Sequence, residues 1–160
     1  MKSILTIISI IISVISNAQS SANANVSANI VTPISITKTL DMNFGDISVS
    51  STSGGSVILS TSGLLTATGG VNILSKIGNA ATFIVRGENN YTYNITLPSS
   101  IILSDGSGHF MKASLASNPS NLGMISSGSQ PLYIGSVLNI SAGQYPGNYS
   151  NQFTIIVSYN

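Results

Sequence analysis

His109 is the single histidine of the chain, four residues after Asp105 in the Gly-rich stretch Asp105-Gly-Ser-Gly-His109. A histidine beside a carboxylate could orient a proton for a hydroxyl nucleophile or ligate a metal, but either task needs further partners. Asp105 is the only acid nearby in sequence, so the pair reads as a solvated turn rather than a ligand set. The four carboxylates, Asp41, Asp46, Glu88 and Asp105, are dispersed; a glycosidase-type pair would require two of them to meet by folding. Asp46 and Asp105 both sit among turn residues, where aspartate commonly bonds its own backbone. No serine stands in a Gly-x-Ser-x-Gly elbow. Gly54-Gly55 and Gly69-Gly70 lack the following lysine and helix of a phosphate loop. With no cysteine in the chain, a thiolate metal site, a cysteine nucleophile and a disulfide framework are all excluded. The chain reads as non-enzymatic, with no catalytic, cofactor-binding or metal-binding residues.

Six tyrosines are the remaining side chains with binding potential. Tyr91 and Tyr93 share a strand face in the sequence pattern, and Tyr145 and Tyr149 fall in one loop region. An aromatic face can stack on a pyranose ring, although a half-buried strand position is the commoner fate of tyrosine. Composition excludes other partners. Only 6% of residues are charged against 42% hydrophobic, and the five basic residues are scattered. Nucleic acid needs clustered Lys and Arg to neutralise phosphates, and a membrane surface needs a polybasic face. Neither is present.

The elements that must position these residues begin after a distinctive N-terminus. Lys2 is followed by an apolar stretch from Ile4 to Ile15, broken only by Thr and Ser, and then by Ser16-Asn17-Ala18. This order is that of a secretory signal peptide over residues 1–18, cleaved after Ala18. The apolar run is far short of the roughly 20 residues a membrane-spanning helix needs, so no membrane span is expected after cleavage. The mature chain from Gln19 would carry four basic and four acidic residues.

From there nearly every segment reads as strand. Ala22, Ala24, Val26, Ala28 and Ile30 alternate with polar residues, and Pro33 interrupts, since proline cannot donate to a ladder. Ile34 and Ile36 resume the alternation. Asn43-Phe-Gly-Asp46 is a turn before Ile47 and Val49, and Val57–Thr61 is a further strand. Residues 81–86 and 91–97 predict a hairpin across Gly87-Glu-Asn-Asn90. Residues 101–103 and 111–115 flank the Asp105 turn, and residues 132–140 form a penultimate strand bulged near Gly135. Phe153, Ile155, Val157 and Tyr159 then alternate with polar or outward positions up to the last residue. Short strands with Gly-rich turns and no helical periodicity predict an antiparallel sandwich or barrel of one domain.

Two end features together resemble a bacterial fimbrial subunit: Tyr159 is penultimate, and Gly147 is fourteenth from the C-terminus. More of the chain resembles a family of secreted bacterial proteins classed only as a domain of unknown function, number 4402. The segments that carry this are Ile30–Gly45, Tyr93–Pro98, Ile134–Ile140 and Gly147–Asn160. The chain departs from typical pilins in lacking a disulfide. The resemblance implies an immunoglobulin-like, pilin-like β-sandwich over residues 34–160, preceded by a strand for donation within residues 19–33. It implies a secreted structural or adhesion subunit, passing through the periplasm to the cell surface and joined to like subunits by strand addition. A periplasmic chaperone and an outer-membrane usher are the partners it implies. The residues for subunit interaction would be Ala22, Ala24, Val26, Ala28, Ile30, Gly147, Phe153, Ile155, Val157 and Tyr159. The alternative is a self-contained secreted module that binds carbohydrate or matrix.

Sequencing of exported protein should return Gln19 as the first residue; material that begins at Met1 would overturn both the signal and the extracellular assignment.

Overall fold

The computed structural model describes residues 19–75 and 77–160. The signal segment expected over residues 1–18 lies outside them. The chain divides after Ile30 into two units. In the first, residues 19–30 take no regular secondary structure, and Val26 and Ile30 are 96% and 94% exposed. The alternating segment expected within residues 19–33 as a strand for donation thus forms no strand within this chain over residues 19–30. A lone alternating segment has no ladder to join, and three of its five apolar positions are alanines with little area to bury.

The second unit is all-β and antiparallel, with no helix among the described residues. Its strands are β1 (Ser35–Leu40), β2 (Ile47–Val49), β3 (Gly55–Leu59), β4 (Leu65–Gly69), β5 (Val71–Ile73) and β6 (Ala81–Arg86). They continue as β7 (Thr92–Thr96), β8 (Ser100–Ser104), β9 (Phe110–Asn118), β10 (Leu122–Met124), β11 (Ser129–Ile140) and β12 (Ile156–Tyr159). Seven of these make one sheet in which β1-β6-β11-β3-β4 are successive neighbours and the β8–β9 hairpin joins β11. A second sheet runs β10-β7-β12, and β2 pairs with β5.

β11 organises the unit. On one edge its first half pairs with β6, Ser129↔Arg86 to Ile134↔Ala81, and its second half with β3, Ser136↔Leu59 to Ile140↔Gly55. Its other edge pairs with β9 from Tyr133 to Asn139. Gly135 sits where the first edge changes partner. A β-carbon built there would lie 2.6 Å from the Leu59 carbonyl oxygen, closer than any side chain tolerates, so glycine is required by close backbone approach. The irregularity expected near Gly135 is thus a fork in the sheet. Pro131 faces β6 at the start of β11, before the β9 ladder begins at Tyr133, so its missing N–H interrupts no second ladder.

The inward row of β11, Leu132, Ile134, Ser136, Leu138 and Ile140, is 0–6% exposed. Its first two residues join Ala81, Val85, Tyr93, Ile95 and Ile125 in one core cluster. Leu138 and Ile140 join Val57, Val71 and Ala113 in another. Ser136, whose hydroxyl has no partner within the described residues, separates the two along the row.

The expected 81–86/91–97 hairpin is corrected. β6 bonds β1 and β11, whereas β7 bonds β10 and β12, so the two strands belong to different sheets. Val85, Tyr93 and Ile95 meet side to side in the core rather than as ladder neighbours. The loop between them is an arch, held by Asn90 N–H donating to Ile125 O at 2.8 Å and by Asn90 in the left-handed region at φ 63°.

Candidate functional site: the groove between residues 42–49 and 144–153

The last segment shows the alternation its sequence predicts. Phe153, Ile155, Val157 and Tyr159 turn towards the first core cluster, while Thr154, Ile156 and Ser158 are exposed. Yet none of the four inward residues is fully buried. Ile34, Ile36 and Met42 pack against the same cluster and are also only half-buried. Two rows of apolar side chains therefore edge one core without covering it.

Backbone pairing explains the gap. β1 bonds β6 on one edge, Asn43 bonds Asn79, and β2 bonds β5. β12 bonds β7, Ile156↔Thr96 to Tyr159↔Tyr93, and Ser150 bonds Ser104 of β8. Each segment is thus a sheet margin, β1 at the end of one sheet and β12 at the end of another. Among the described residues, no backbone hydrogen bond joins residues 34–49 to residues 144–159. Between residues 42–49 and residues 144–153, beside Ala113, Leu138 and Ile140 of the second core cluster, runs a groove of about 870 Å³. Its apolar walls come from Met42, Phe44, Ile47, Leu103, Met111 and Phe153, and Gln144 to Asn151 form the far side. A smaller depression of about 610 Å³ among Leu40, Gly63, Asn79 and Tyr133 is flanked by turn residues and lacks two facing strand margins.

The two margins run in opposite directions and are tied at one end by the penultimate tyrosine. Tyr159 Oη accepts Glu88 N–H at 2.6 Å and donates to Thr32 O at 2.7 Å. Thr32 N–H in turn donates to Glu88 Oε2 at 2.9 Å. Three distant segments, the chain before β1, the β6–β7 arch and β12, converge on that hydroxyl. Gly87 leaves room for it, since a β-carbon there would lie 2.2 Å from Tyr159 Oη. The Tyr91 ring meets the Tyr159 ring edge-on at 5.6 Å. The Thr32 amide holds the exposed Glu88 carboxyl below its ordinary value. At the other end Gly143 N–H donates to Ser50 O at 2.9 Å.

Of the residues expected from sequence, Phe153, Ile155, Val157 and Tyr159 form one row against the first core cluster, and of the four only Phe153 also lines the groove. Gly147 lies on the groove wall in the exposed connection before β12, where a β-carbon would come within 3.3 Å of Asp105 Cβ. Ala22 to Ile30 belong to the other unit. Thr32 and Glu88 escaped sequence reading because their roles are backbone contacts, a carbonyl and an amide, to a side chain 127 and 71 residues away. Tyr93 and Tyr91 do not share a face: Tyr93 is fully buried, donating to Gln130 Oε1 at 2.8 Å, while Tyr91 is 42% exposed and outside β7.

The reading of Asp105 and His109 as a merely solvated turn is also corrected. His109 Nδ1 lies 2.6 Å from Asp105 Oδ2, and the Asp105 side chain is only 7% exposed. Asp105 Oδ1 accepts the Ser107 and His109 amides at 2.8 and 3.1 Å. The His109 bond, with those amides, lowers the Asp105 pKa to about 2. Among the described residues no group of three or more potential metal ligands is gathered, and there is no helix long and apolar enough to cross a membrane.

An antiparallel all-β unit with half-buried apolar rows on its marginal strands and an apolar groove beside them is the class this geometry defines. The chain belongs to the family described as Domain of unknown function (DUF4402), whose model matches residues 34–159. Comparison with curated proteins finds no match.

Tyr159→Phe should remove both bonds of that hydroxyl and cost about 1 kcal/mol, seen as a lower urea midpoint with unchanged m-value and faster exchange of the Glu88 amide. Asp105 supplies a pH test. A carboxyl with a depressed folded pKa stabilises fully above its ordinary value of 3.8 and loses that contribution as pH falls through about 2. Asp105→Asn should therefore melt below wild type at pH 5, and the difference should shrink towards pH 2.

Proposed function

We propose that this chain is a non-enzymatic subunit of a secreted surface fibre or adhesion structure, joined to its neighbours by strand addition. The observation that carries the reading is a pair of antiparallel margins, each paired on one edge only, whose apolar rows stay half-buried, with an apolar groove opening between residues 42–49 and 144–153. An added strand would supply ladder bonds to both margins and set alternate side chains into the groove, a recurring mode of peptide recognition. Sheet edges with exposed apolar rows are otherwise costly and association-prone.

The occupant we infer is residues 22–30 of a like subunit. Ala22, Ala24, Val26, Ala28 and Ile30 have the alternation a groove strand needs, and this segment has no strand of its own. Seen this way, the second unit is an immunoglobulin-like sandwich short of one strand. The N-terminal pattern supports export by a signal peptide, through a periplasm where a chaperone and an outer-membrane usher would handle the subunit, to the cell surface.

Deleting residues 20–31 tests the proposal directly. The intact mature protein should form oligomers that dissociate on heating, and the truncated protein should remain monomeric. Val26→Asp, which places a charge against apolar walls, should weaken assembly by several kcal/mol while leaving the melting of the 31–160 unit unchanged. Oligomers of the truncated chain like those of the intact one would overturn the strand-addition reading.

A further inference from the structure

The β8–β9 turn and the β11–β12 connection meet in an aromatic cluster at the far side of the groove, which Tyr145 helps to line. The rings of His109 and Tyr145 stack with centroids 4.1 Å apart and planes 15° from parallel. Both are fixed from behind. His109 is held through Nδ1 by nearly buried Asp105. Tyr145 O accepts Tyr149 Oη at 2.9 Å, and Gln144 Nε2 bridges Tyr149 Oη and Phe110 O at 2.8 and 3.3 Å. Despite that anchoring, Tyr145 is 64% exposed and Phe110 60% exposed. Neither His109 Nε2 nor Tyr145 Oη has a hydrogen-bond partner among the described residues.

We propose that this cluster is a binding platform for a neutral pyranose, with the exposed Tyr145 ring as its stacking face and His109 Nε2 and Tyr145 Oη as its hydroxyl-bonding groups. An aromatic face carries partial negative charge and attracts the polarised C–H face of a sugar ring. A ring already immobilised loses little conformational entropy when a ligand stacks on it. A few fixed polar atoms beside an apolar surface are what orients a small ligand. Neutrality follows from the charges. The one carboxylate in the cluster is turned inward and bonded to His109 and two amides, so a cationic ligand finds no free anion. The nearest cation in sequence, Lys112, stands on β9 two residues from Phe110 and takes no part in the stack.

The inference does not depend on strand addition and is tested on the full mature chain. Saturation-transfer NMR with the methyl glycosides of glucose, galactose, mannose and N-acetylglucosamine, at millimolar concentration, should show transfer to the ring C–H protons of at least one. Tyr145→Ala should weaken that binding about tenfold or more. Tyr145→Phe, which keeps the stacking face, should retain most of it, and His109→Gln should lower it while changing which sugar hydroxyl matters in deoxy analogues. No transfer from any of the four glycosides would overturn the proposal, as would transfer undiminished in Tyr145→Ala. A response confined to an anionic sugar such as methyl sialoside and abolished by Lys112→Ala would likewise overturn it.

Discussion

Backbone pairing along β11 is the constraint on which the rest of the structure hangs. Twelve residues long, it bonds β6, β3 and β9, and its inward row joins both core clusters. A strand paired on both edges cannot shift register by one residue without turning Leu132, Ile134, Leu138 and Ile140 out to solvent. The fork at Gly135 lets one edge serve two partners. It requires the bare backbone of glycine, because the Leu59 carbonyl occupies the space a side chain would take.

The groove is the consequence of that arrangement at its margins. β6 and β11 are saturated by their neighbours, so β1 is left at the end of one sheet and β12 at the end of the other. Both carry an apolar row towards the core, and both keep a free edge. Hydrophobic burial draws the rows together while nothing in the ladder closes the gap between them. Phe153, Ile155 and Val157 on the C-terminal margin are left half-buried against the first core cluster.

Polar contacts finish the unit at its ends. Tyr159 Oη gathers Thr32 and Glu88, and Asp105 gathers His109 with two backbone amides. In a chain with so few charges, these bonds fix loops that the apolar core does not reach. Phe83 meeting Phe153 edge-on at 6.5 Å does the same work inside the core, tying the last segment to β6. The result is a set of anchored turns around an open groove, with the His109–Tyr145 stack on one of them.

Much of this was legible in the residues themselves. Alternation of apolar side chains has a period of two wherever a strand buries one face, so β1, β3, β9, β11 and the inward row Phe153–Tyr159 could be read directly. Turn glycines and asparagines marked the boundaries for local steric reasons. Which strands bond each other was not legible. Residues 81–86 and 92–96 have the pattern of a hairpin, yet each finds its ladder in a different sheet, because an arch and a hairpin share the same local chemistry. The Asp105–His109 bond depended on how tightly one turn closes, and the Tyr159 hydroxyl's partners lie far away in the chain. The sequence by itself determined which face of each segment is apolar, since that is a property of neighbouring residues. Only the tertiary structure decided which edges remain unpaired, since edge pairing is a competition among all strands at once.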